Sequence, residues 1–192
     1  MEIILASKSE RRQKLLDMMG VKYKIIVTDA DESADGIDRP DRLTLELSKR
    51  KAESALKTAG GGKLIIAADT VVYHCGKIFG KPADESDAKR MLTELNNSTH
   101  EVYTGLTVTD GERTVCAAEK TIVKFRNAEE WEIDGYIATG DPMDKAGAYG
   151  AQGKAAAFIE RIEGDFFNVV GLPVCRLSVM LKEFGIRVNG NE

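Results

Sequence analysis

The chain has 192 residues, of which 43% are hydrophobic, and its formal net charge is −4. This length suits one large domain or two small lobes, and the apolar fraction is enough for a sizeable core. The acidic balance argues against a general nucleic-acid binder, although 27 lysine and arginine residues leave room for a local basic pocket.

Cysteine and histidine usage excludes further classes of protein. The three cysteines, Cys75, Cys116 and Cys175, lie far apart and form no Cys-x-x-Cys pair, so we expect no disulfide framework and a reducing, cytoplasmic location. The two histidines fit neither an HExxH motif nor a zinc finger. The first apolar stretch, residues 3–6, is too short for a signal peptide, and no apolar run approaches the length of a membrane-spanning helix.

A helix is expected directly after the first predicted strand, residues 2–6. Two registers for its start stay open, namely a capping box that begins at Ser7 or a cap at Ser9. In either register Arg11 and Arg12 fall in or near the first turn. A helix start that carries two arginines would bind phosphate well, and the alternative is a pair of solvated surface arginines.

Turn and cap residues divide the rest of the chain into alternating strands and helices. An Asn127/Glu130 capping box is expected to open one helix, an Asp110-Gly111 turn to join two strands as a hairpin, and residues 140–157 to be irregular. Because the strands alternate with helices and one pair is a hairpin, we expect a mixed α/β sheet. The expected strands are residues 23–27, 63–74, 102–108, 113–125 and 158–162, and the expected helices are residues 39–59, 84–96, 127–138 and 173–184.

Two polar residues, Asp69 and Thr70, follow an apolar run, residues 64–68, that is typical of a buried strand. Burying a carboxylate without partners is costly, so this aspartate needs a cation or hydrogen-bond donors beside it. Lys81 follows closely and can supply a cation. A carboxylate held near a lysine at the end of a strand could form part of a site for metal-assisted phosphate chemistry.

The glycine-rich residues 147–154 suggest a phosphate-binding P-loop, but their spacing excludes one. Ala148 occupies the first glycine position, and Ala155 stands where a serine or threonine must bind magnesium. The other polar candidates are scattered, and their spacing alone cannot bring them together. Each of them also has an ordinary surface or turn interpretation; they are Ser7, Arg11, Arg12, Glu32, Lys51, Lys81 and Gln152.

Five blocks of sequence carry a resemblance to a known family. They are Leu-Ala-Ser-Lys-Ser-Glu-Arg-Arg (5–12), Ala-Ala-Asp-Thr-Val-Val (67–72), Gly-Lys-Pro (80–82), Asp-Lys-Ala-Gly-Ala-Tyr-Gly-Ala-Gln-Gly (144–153) and Asn-Val-Val-Gly-Leu-Pro (168–173). Almost end to end, the chain resembles the Maf family of nucleotide pyrophosphatases. The resemblance implies an α/β fold in which a two-lobed mixed sheet, flanked by helices, encloses a central cleft, similar to inosine triphosphate pyrophosphatases. It also implies a single domain over residues 1–192.

The same resemblance implies roles for individual residues. Asp69 would be the catalytic proton acceptor, and Asp69 and Glu32 would hold a divalent metal, magnesium or manganese. Whether Asp69 acts as base or as metal ligand stays open. Substrate choice would depend on Arg12, Thr70 and Gln152, and the phosphate path would be lined by Ser7, Arg11, Lys51 and Lys81. Two positions depart from the family pattern: Glu10 replaces the usual proline, and Asp141 stands where glutamate is frequent.

The implied activity is that of a cytoplasmic house-cleaning hydrolase. The Gly-Ala-Tyr-Gly-x-Gln-Gly form of residues 147–153 resembles the branch that acts on dTTP and UTP, releasing the nucleoside monophosphate and pyrophosphate. The expected partner is the nucleoside triphosphate, without nucleic acid or membrane, and a homodimer stays open. Two alternatives also stay open: a nucleotide-binding regulator of septum formation that does not hydrolyse, and a purine-directed pyrophosphatase.

Overall fold

The computed structural model describes residues 1–28 and 36–188 of the chain. Over these residues a seven-stranded sheet is flanked by helices. The strands are β1 (Glu2–Leu5), β2 (Lys24–Ile25), β3 (Lys63–His74), β4 (Lys77–Phe79), β5 (Thr99–Thr109), β6 (Thr114–Phe125) and β7 (Ile159–Glu163). The α-helices are α1 (Glu10–Met18), α2 (Pro40–Ala59), α3 (Glu85–Leu95), α4 (Glu130–Ile137), α5 (Phe166–Val170) and α6 (Val174–Lys182).

The sheet is mixed, which confirms the predicted class. Its strand order is β2-β1-β3-β5-β6-β7, and β4 pairs with the end of β3 as a hairpin. β1 runs parallel to its two neighbours, β2 and β3. The pairs β3–β5, β5–β6 and β6–β7 are antiparallel. The three long strands β3, β5 and β6 therefore extend across the whole molecule.

Each long strand contributes residues to two apolar cores, one at each end of the strand. This agrees with the expected two-lobed layout. On one face of β3, Leu64, Ile66 and Ala68 pack with α1 and α6, while Val72 packs with α3 and α4. Thr70 lies between these two cores, where the alternation of side chains brings a polar residue to the same face. The opposite face of β3 packs on α2 through Ile65 and Ala67.

The structure selects Ser9, one of the two registers left open for the start of α1, and it corrects the predicted start of α4. α1 uses Ser9 as its N-cap residue, and no side-chain capping bond forms there; the Ser7 Oγ instead accepts a hydrogen bond from the Ser9 backbone amide. α4 has its capping box at Glu129 and Glu132, so the predicted Asn127/Glu130 box is wrong. A salt bridge from Arg126 holds the Glu132 carboxylate beside the start of the helix, which explains the later register.

The irregular stretch predicted for residues 140–157 folds as short 3₁₀ turns at Asp141–Asp144, Ala146–Ala148 and Lys154–Phe158. The predicted last helix is present as α6, with Pro173 as its N-cap residue. α5 was not predicted, because five residues are too few to show helical periodicity. In the part of the chain that the structure describes, none of the helices combines the length and apolarity needed to cross a bilayer.

Candidate active site

Arg12 organises the first group of predicted site residues. It lies in the first turn of α1, and its side chain reaches across to β3. Its Nη1 donates to Ser7 Oγ at 3.2 Å, its Nη2 donates to Thr70 Oγ1 at 3.1 Å, and its Nε donates to the Gly171 carbonyl oxygen at 2.7 Å. The structure thus brings Ser7, Arg12 and Thr70 together, although the sequence separates Arg12 from Thr70 by 58 positions.

Gly171 leaves room for this arginine. Its φ is +115°, in the left-handed region that glycine tolerates and other residues rarely adopt. A β-carbon at this position would lie 3.4 Å from Thr70 Oγ1 and 3.7 Å from Arg12 Nε. A side chain here would fill the space in front of both groups, so the glycine keeps them open to a ligand.

Behind Thr70, a line of buried polar groups runs between the two apolar cores; we call Thr70, Thr104 and Asn168 the polar seam. Thr104 is the direct cross-strand partner of Thr70 on β5, and their Oγ1 atoms are 2.9 Å apart. Thr104 Oγ1 also donates to the Asn168 backbone carbonyl oxygen at 3.1 Å. Thr104 and Asn168 are completely buried. Neither residue was apparent from the sequence, because neither stands in a recognisable catalytic pattern.

Asp69 belongs to a second group. Lys51 on α2 donates from Nζ to Asp69 Oδ1 at 2.5 Å, and both side chains are largely buried, 14% and 13% exposed. This is the cation that the sequence argument required beside Asp69, and it comes from α2 rather than from the nearby Lys81. Gly105, opposite Asp69 on β5, lets the α2 backbone approach the sheet, since a β-carbon there would overlap the Thr44 carbonyl.

The two groups lie on opposite faces of β3, because consecutive strand residues point to opposite sides of a sheet. Asp69 continues the α2 face, and Thr70 continues the face that carries α1. No hydrogen bond joins Asp69 to Arg11 or Arg12 among the described residues. The two groups are nevertheless one residue apart, at the level where the two apolar cores meet.

Arg11 takes a different direction from Arg12 and ties α1 to the glycine-rich segment. Its Nη1 donates to Asp144 Oδ2 at 2.9 Å, and Lys145 Nζ donates to Asp144 Oδ1 at 2.6 Å and to Asp141 Oδ1 at 3.0 Å. Partial burial raises the pKa of the Asp144 carboxyl, but hydrogen bonds from Lys145 and Arg11 outweigh this and hold the pKa below its ordinary value. The bridge between the lobes therefore stays charged at neutral pH.

Lys81 lies beside the glycine-rich segment, and Gln152 lies within it. Both are exposed, and neither forms a hydrogen bond or an ion pair with the residues that the structure describes. The Gly147 amide donates to the Gly80 carbonyl at 2.9 Å, which fixes the glycine-rich segment next to Lys81. These two side chains are available to a ligand without the loss of an existing bond.

The glycine-rich segment is anchored from below by Tyr149. Its hydroxyl lies 2.8 Å from His100 Nε2, and both residues are buried. Burial, with a smaller effect of His74, lowers the pKa of His100 to about 3. Burial also raises the pKa of the Tyr149 phenol. His100 is therefore a neutral structural residue at physiological pH, and its role was not apparent in the sequence.

Of the two predicted metal ligands, Asp69 and Glu32, the structure describes only Asp69. Glu32 lies outside the described residues, and Asp69 supplies a carboxylate. Across residues 1–28 and 36–188, no group of three or more histidine, cysteine or acidic side chains could hold a metal ion. One or two carboxylates, with phosphate oxygens and water completing the shell, is the usual donor set for magnesium at a phosphate site.

Comparison with known proteins places this geometry in a family. Residues 2–184 match the family of Maf-like proteins. A dTTP/UTP pyrophosphatase of Bacillus cereus is 44% identical over 187 residues, which cover 97% of each chain, and one of Bacillus anthracis is 43% identical over the same share.

Among solved structures, the Ham1 protein of Staphylococcus aureus superposes with a TM-score of 0.52 over 96% of this chain and 100% of that one. Its sequence identity is 14%, so it shows a common fold. The family match covers nearly the whole chain, including every described residue of the Arg12 and Asp69 groups. The chain belongs to the Maf family.

Proposed function

We propose that this chain hydrolyses dTTP and UTP to the nucleoside monophosphate and pyrophosphate. One observation carries the proposal: two consecutive residues of β3 hold a carboxylate paired with Lys51 and a hydroxyl paired with Arg12. A base can activate the attacking water, and cationic side chains balance the charge of the phosphates. The relatives named dTTP/UTP pyrophosphatase share 43–44% of their residues with this chain, which supports the choice of substrate.

In this proposal the charged side chains act mainly by electrostatics. A triphosphate repels an incoming nucleophile, and the charge that moves toward the leaving pyrophosphate must be balanced. Arg11 and Lys81 bind the phosphate oxygens, the Ser7 hydroxyl donates to one of them, and Arg12 takes part with Thr70 in the choice of substrate. Asp69 orients the attacking water and accepts its proton, while Lys51 keeps the carboxylate in place.

A divalent metal, magnesium or manganese, would be held by Asp69 and Glu32 and would supply further neutralisation of the phosphates when bound. The protein's own residues bind and orient the nucleotide independently of the identity of that ion. The three cysteines are free and exposed, which suits the reducing cytoplasm proposed for this house-cleaning role. A homodimer stays a prediction, for which light scattering is the test.

Gln152 is proposed to recognise the base. Its side-chain amide has one carbonyl acceptor and an NH₂ donor. Uracil and thymine present an O4 acceptor beside an N3–H donor, so the Gln152 NH₂ can donate to O4 and leave N3–H to a second acceptor of the site. Cytosine has the opposite pattern, which gives a physical basis for pyrimidine choice.

The test is a panel of nucleoside triphosphates, purine and modified nucleotides included, assayed with magnesium or manganese titrated and with both pyrophosphate and monophosphate measured. We expect the highest kcat/KM for dTTP and UTP, with the two products in equal amounts. Binding without product release would contradict the proposal in favour of a nucleotide-sensing regulator. A preference for purine nucleotides would contradict the substrate assignment.

A further inference from the structure

The hydrogen bonds of the polar seam have a defined direction. A carbonyl oxygen can only accept, so the bond of 3.1 Å between Thr104 Oγ1 and the Asn168 carbonyl uses the single proton of the Thr104 hydroxyl. The neighbouring bond of 2.9 Å, between Thr104 Oγ1 and Thr70 Oγ1, must then use the proton of Thr70. Thr70 is therefore the donor in its bond with Thr104.

Arg12 restricts Thr70 further. A guanidinium has no acceptor, so the bond of 3.1 Å from Arg12 Nη2 occupies one lone pair of Thr70 Oγ1. With its proton given to Thr104 and one lone pair given to Arg12, Thr70 has one lone pair left for a ligand. Its remaining capacity is that of an acceptor.

Ser7 provides an internal contrast in the same cluster. Its Oγ accepts from the Ser9 amide and from Arg12 Nη1, each at 3.2 Å, which uses both lone pairs. The Ser7 proton has no acceptor among the described residues, so this hydroxyl can only donate to a ligand. Two hydroxyls bonded to the same arginine thus have opposite hydrogen-bonding roles.

Thr104 and Asn168 can maintain this direction because both are buried from solvent. Thr104 and Asn168 are both 0% exposed, whereas Thr70 is partly exposed on the side that Gly171 leaves open. No solvent molecule can take the place of the Asn168 carbonyl as the acceptor for Thr104. The buried bond of Thr104 therefore determines that Thr70, at the exposed end of the seam, acts as an acceptor toward a ligand.

We propose that Thr104 is a positioning residue for substrate specificity, which holds Thr70 as an acceptor so that the site selects a nucleotide carrying a hydrogen-bond donor there. In dTTP and UTP that donor is the imino N3–H of the base. Cytosine has an acceptor at N3, so it faces an unfavourable pair of acceptors. This inference rests on the proposed function and extends it to a residue that does not touch the nucleotide.

The test compares kcat and KM for UTP, dUTP and CTP in the wild-type protein and in Thr104→Val and Thr104→Ser. Valine has the shape of threonine without its hydroxyl, so it releases the Thr70 proton, which can then be donated to cytosine N3. We expect the UTP:CTP ratio of kcat/KM to fall about tenfold in Thr104→Val, chiefly through a lower KM for CTP. Thr104→Ser keeps the hydroxyl and restores the wild-type ratio.

Thr121→Val is the matched control. Thr121 is also completely buried, and its Oγ1 donates to the Asp165 carbonyl and accepts from Asn168 Nδ2, both at 2.9 Å. It thus contacts the same segment around α5 but forms no bond to Thr70. We expect it to lower thermal stability about as much as Thr104→Val while the UTP:CTP ratio stays unchanged.

Three results would overturn the inference. One is an unchanged UTP:CTP ratio in Thr104→Val; another is a Thr104→Ser variant that behaves like the valine variant. The third is a changed UTP:dUTP ratio with UTP:CTP unchanged, which would assign Thr70 to a sugar hydroxyl. A wild-type protein that hydrolyses neither UTP nor dTTP defeats the proposed function itself, so the two failures are distinguishable.

Discussion

Asp69 and Thr70 share a peptide bond but have separate partners, and this determines what each can do. Asp69 is held by Lys51 from α2, while Thr70 is held by Arg12 from α1. If Asp69 paired directly with Arg12 instead, the guanidinium would be drawn away from Thr70. Placing Asp69 and Thr70 on opposite faces of one strand keeps both available at neighbouring positions.

Replacing Asp69 by asparagine should reduce kcat at least as much as Lys81→Ala. Loss of a general base typically reduces turnover by about 10²–10⁴-fold, and loss of one electrostatic donor reduces kcat by about 10²–10³-fold. Asparagine keeps the size of the side chain, so the fold is preserved. Steady-state kinetics, with circular dichroism as the check on folding, measures the difference.

Asp134→Asn is the matched control, because it makes the same substitution at an aspartate that also pairs with a lysine. Asp134 is a half-exposed residue of α4 and pairs with Lys89. We expect its kcat to be that of the wild type. Near-normal turnover in Asp69→Asn would remove Asp69 from the chemistry.

Gln152→Ala should raise KM for dTTP and UTP about tenfold and leave kcat nearly unchanged. Gln152 is exposed and forms no hydrogen bond with the described residues, so its loss has little effect on the fold. An interaction made equally in the ground and transition states appears in KM alone. The measurement is KM and kcat across the nucleotide panel, with Lys154→Ala, an exposed neighbour, as the control. Equal relative rates for all nucleotides would count against the role of Gln152.

α2 positions Lys51, and its distance from the sheet is set by Gly105. The helix runs for 20 residues along β3 and β5, with Thr44 and Ser48 completely buried against them. A buried bond of 2.8 Å between the hydroxyls of Ser48 and Thr107 fixes its register on β5. Because the helix is rigid, its contact near Thr44 also determines where Lys51 meets Asp69.

Gly105→Ala should therefore destabilise the fold and reduce activity together. The new methyl group would overlap the Thr44 carbonyl, and overpacking of this kind typically costs about 1–3 kcal/mol. Displacement of α2 also moves Lys51 from Asp69, so kcat falls. Urea unfolding and kinetics on the same preparation measure both effects.

Gly135→Ala is the control within the chain. Gly135 lies in α4 with nothing within 4 Å of its added β-carbon. Alanine is favoured over glycine in a helix by about 1 kcal/mol, so this variant should gain stability with unchanged activity. A Gly105→Ala protein with wild-type stability would show that α2 does not depend on this close approach.

On one face of the sheet the described residues form two apolar cores with a polar level between them, and a third core lies under α2 on the other face. The buried His100 makes the stability of this fold depend on pH. The ordinary histidine pKa of 6.5 falls to about 3 in the folded state because of burial. Below pH 6.5 the unfolded chain binds a proton that the folded chain does not, so stability falls as pH falls. At pH 7 and above, this histidine has little effect.

His100→Gln should remove part of this acid sensitivity. Between pH 6.5 and 4.5, the wild type should lose about 2 kcal/mol more stability than the variant. Glu2 and Glu132, whose pKa values are lowered from 4.5 to about 2 by bonds to lysine and arginine, contribute chiefly below this window. Urea titrations at the two pH values give the comparison. Equal slopes in wild type and His100→Gln would exclude His100 as the cause.

Much of the fold was predictable because its longer segments have strong local patterns. The 12 residues of β3 match the predicted strand at both ends, and α2 ends at Ala59 as expected. The buried residues of α3, Ala88, Met91, Leu92 and Leu95, follow the same helical spacing. Such periodicity arises from neighbours three or four positions apart, so it is visible in the sequence.

The site was predictable in its members but not in its arrangement. The resemblance supplied Ser7, Arg12 and Thr70, and the structure brings these three together. It could not supply Lys51 as the partner of Asp69. A residue on one helix meets a residue on another strand only through the packing of α2 on the sheet.

By itself the sequence determined the mixed α/β class, most of the helices and strands, and the family, because local periodicity and family motifs are written in consecutive residues. Only the tertiary structure decided that Asp69 and Thr70 have different partners, that Thr104 and Asn168 stand behind Thr70, and in which direction their protons point. The physical reason is that each of these bonds joins residues at least 18 positions apart, whose approach depends on how the helices pack on both faces of one sheet.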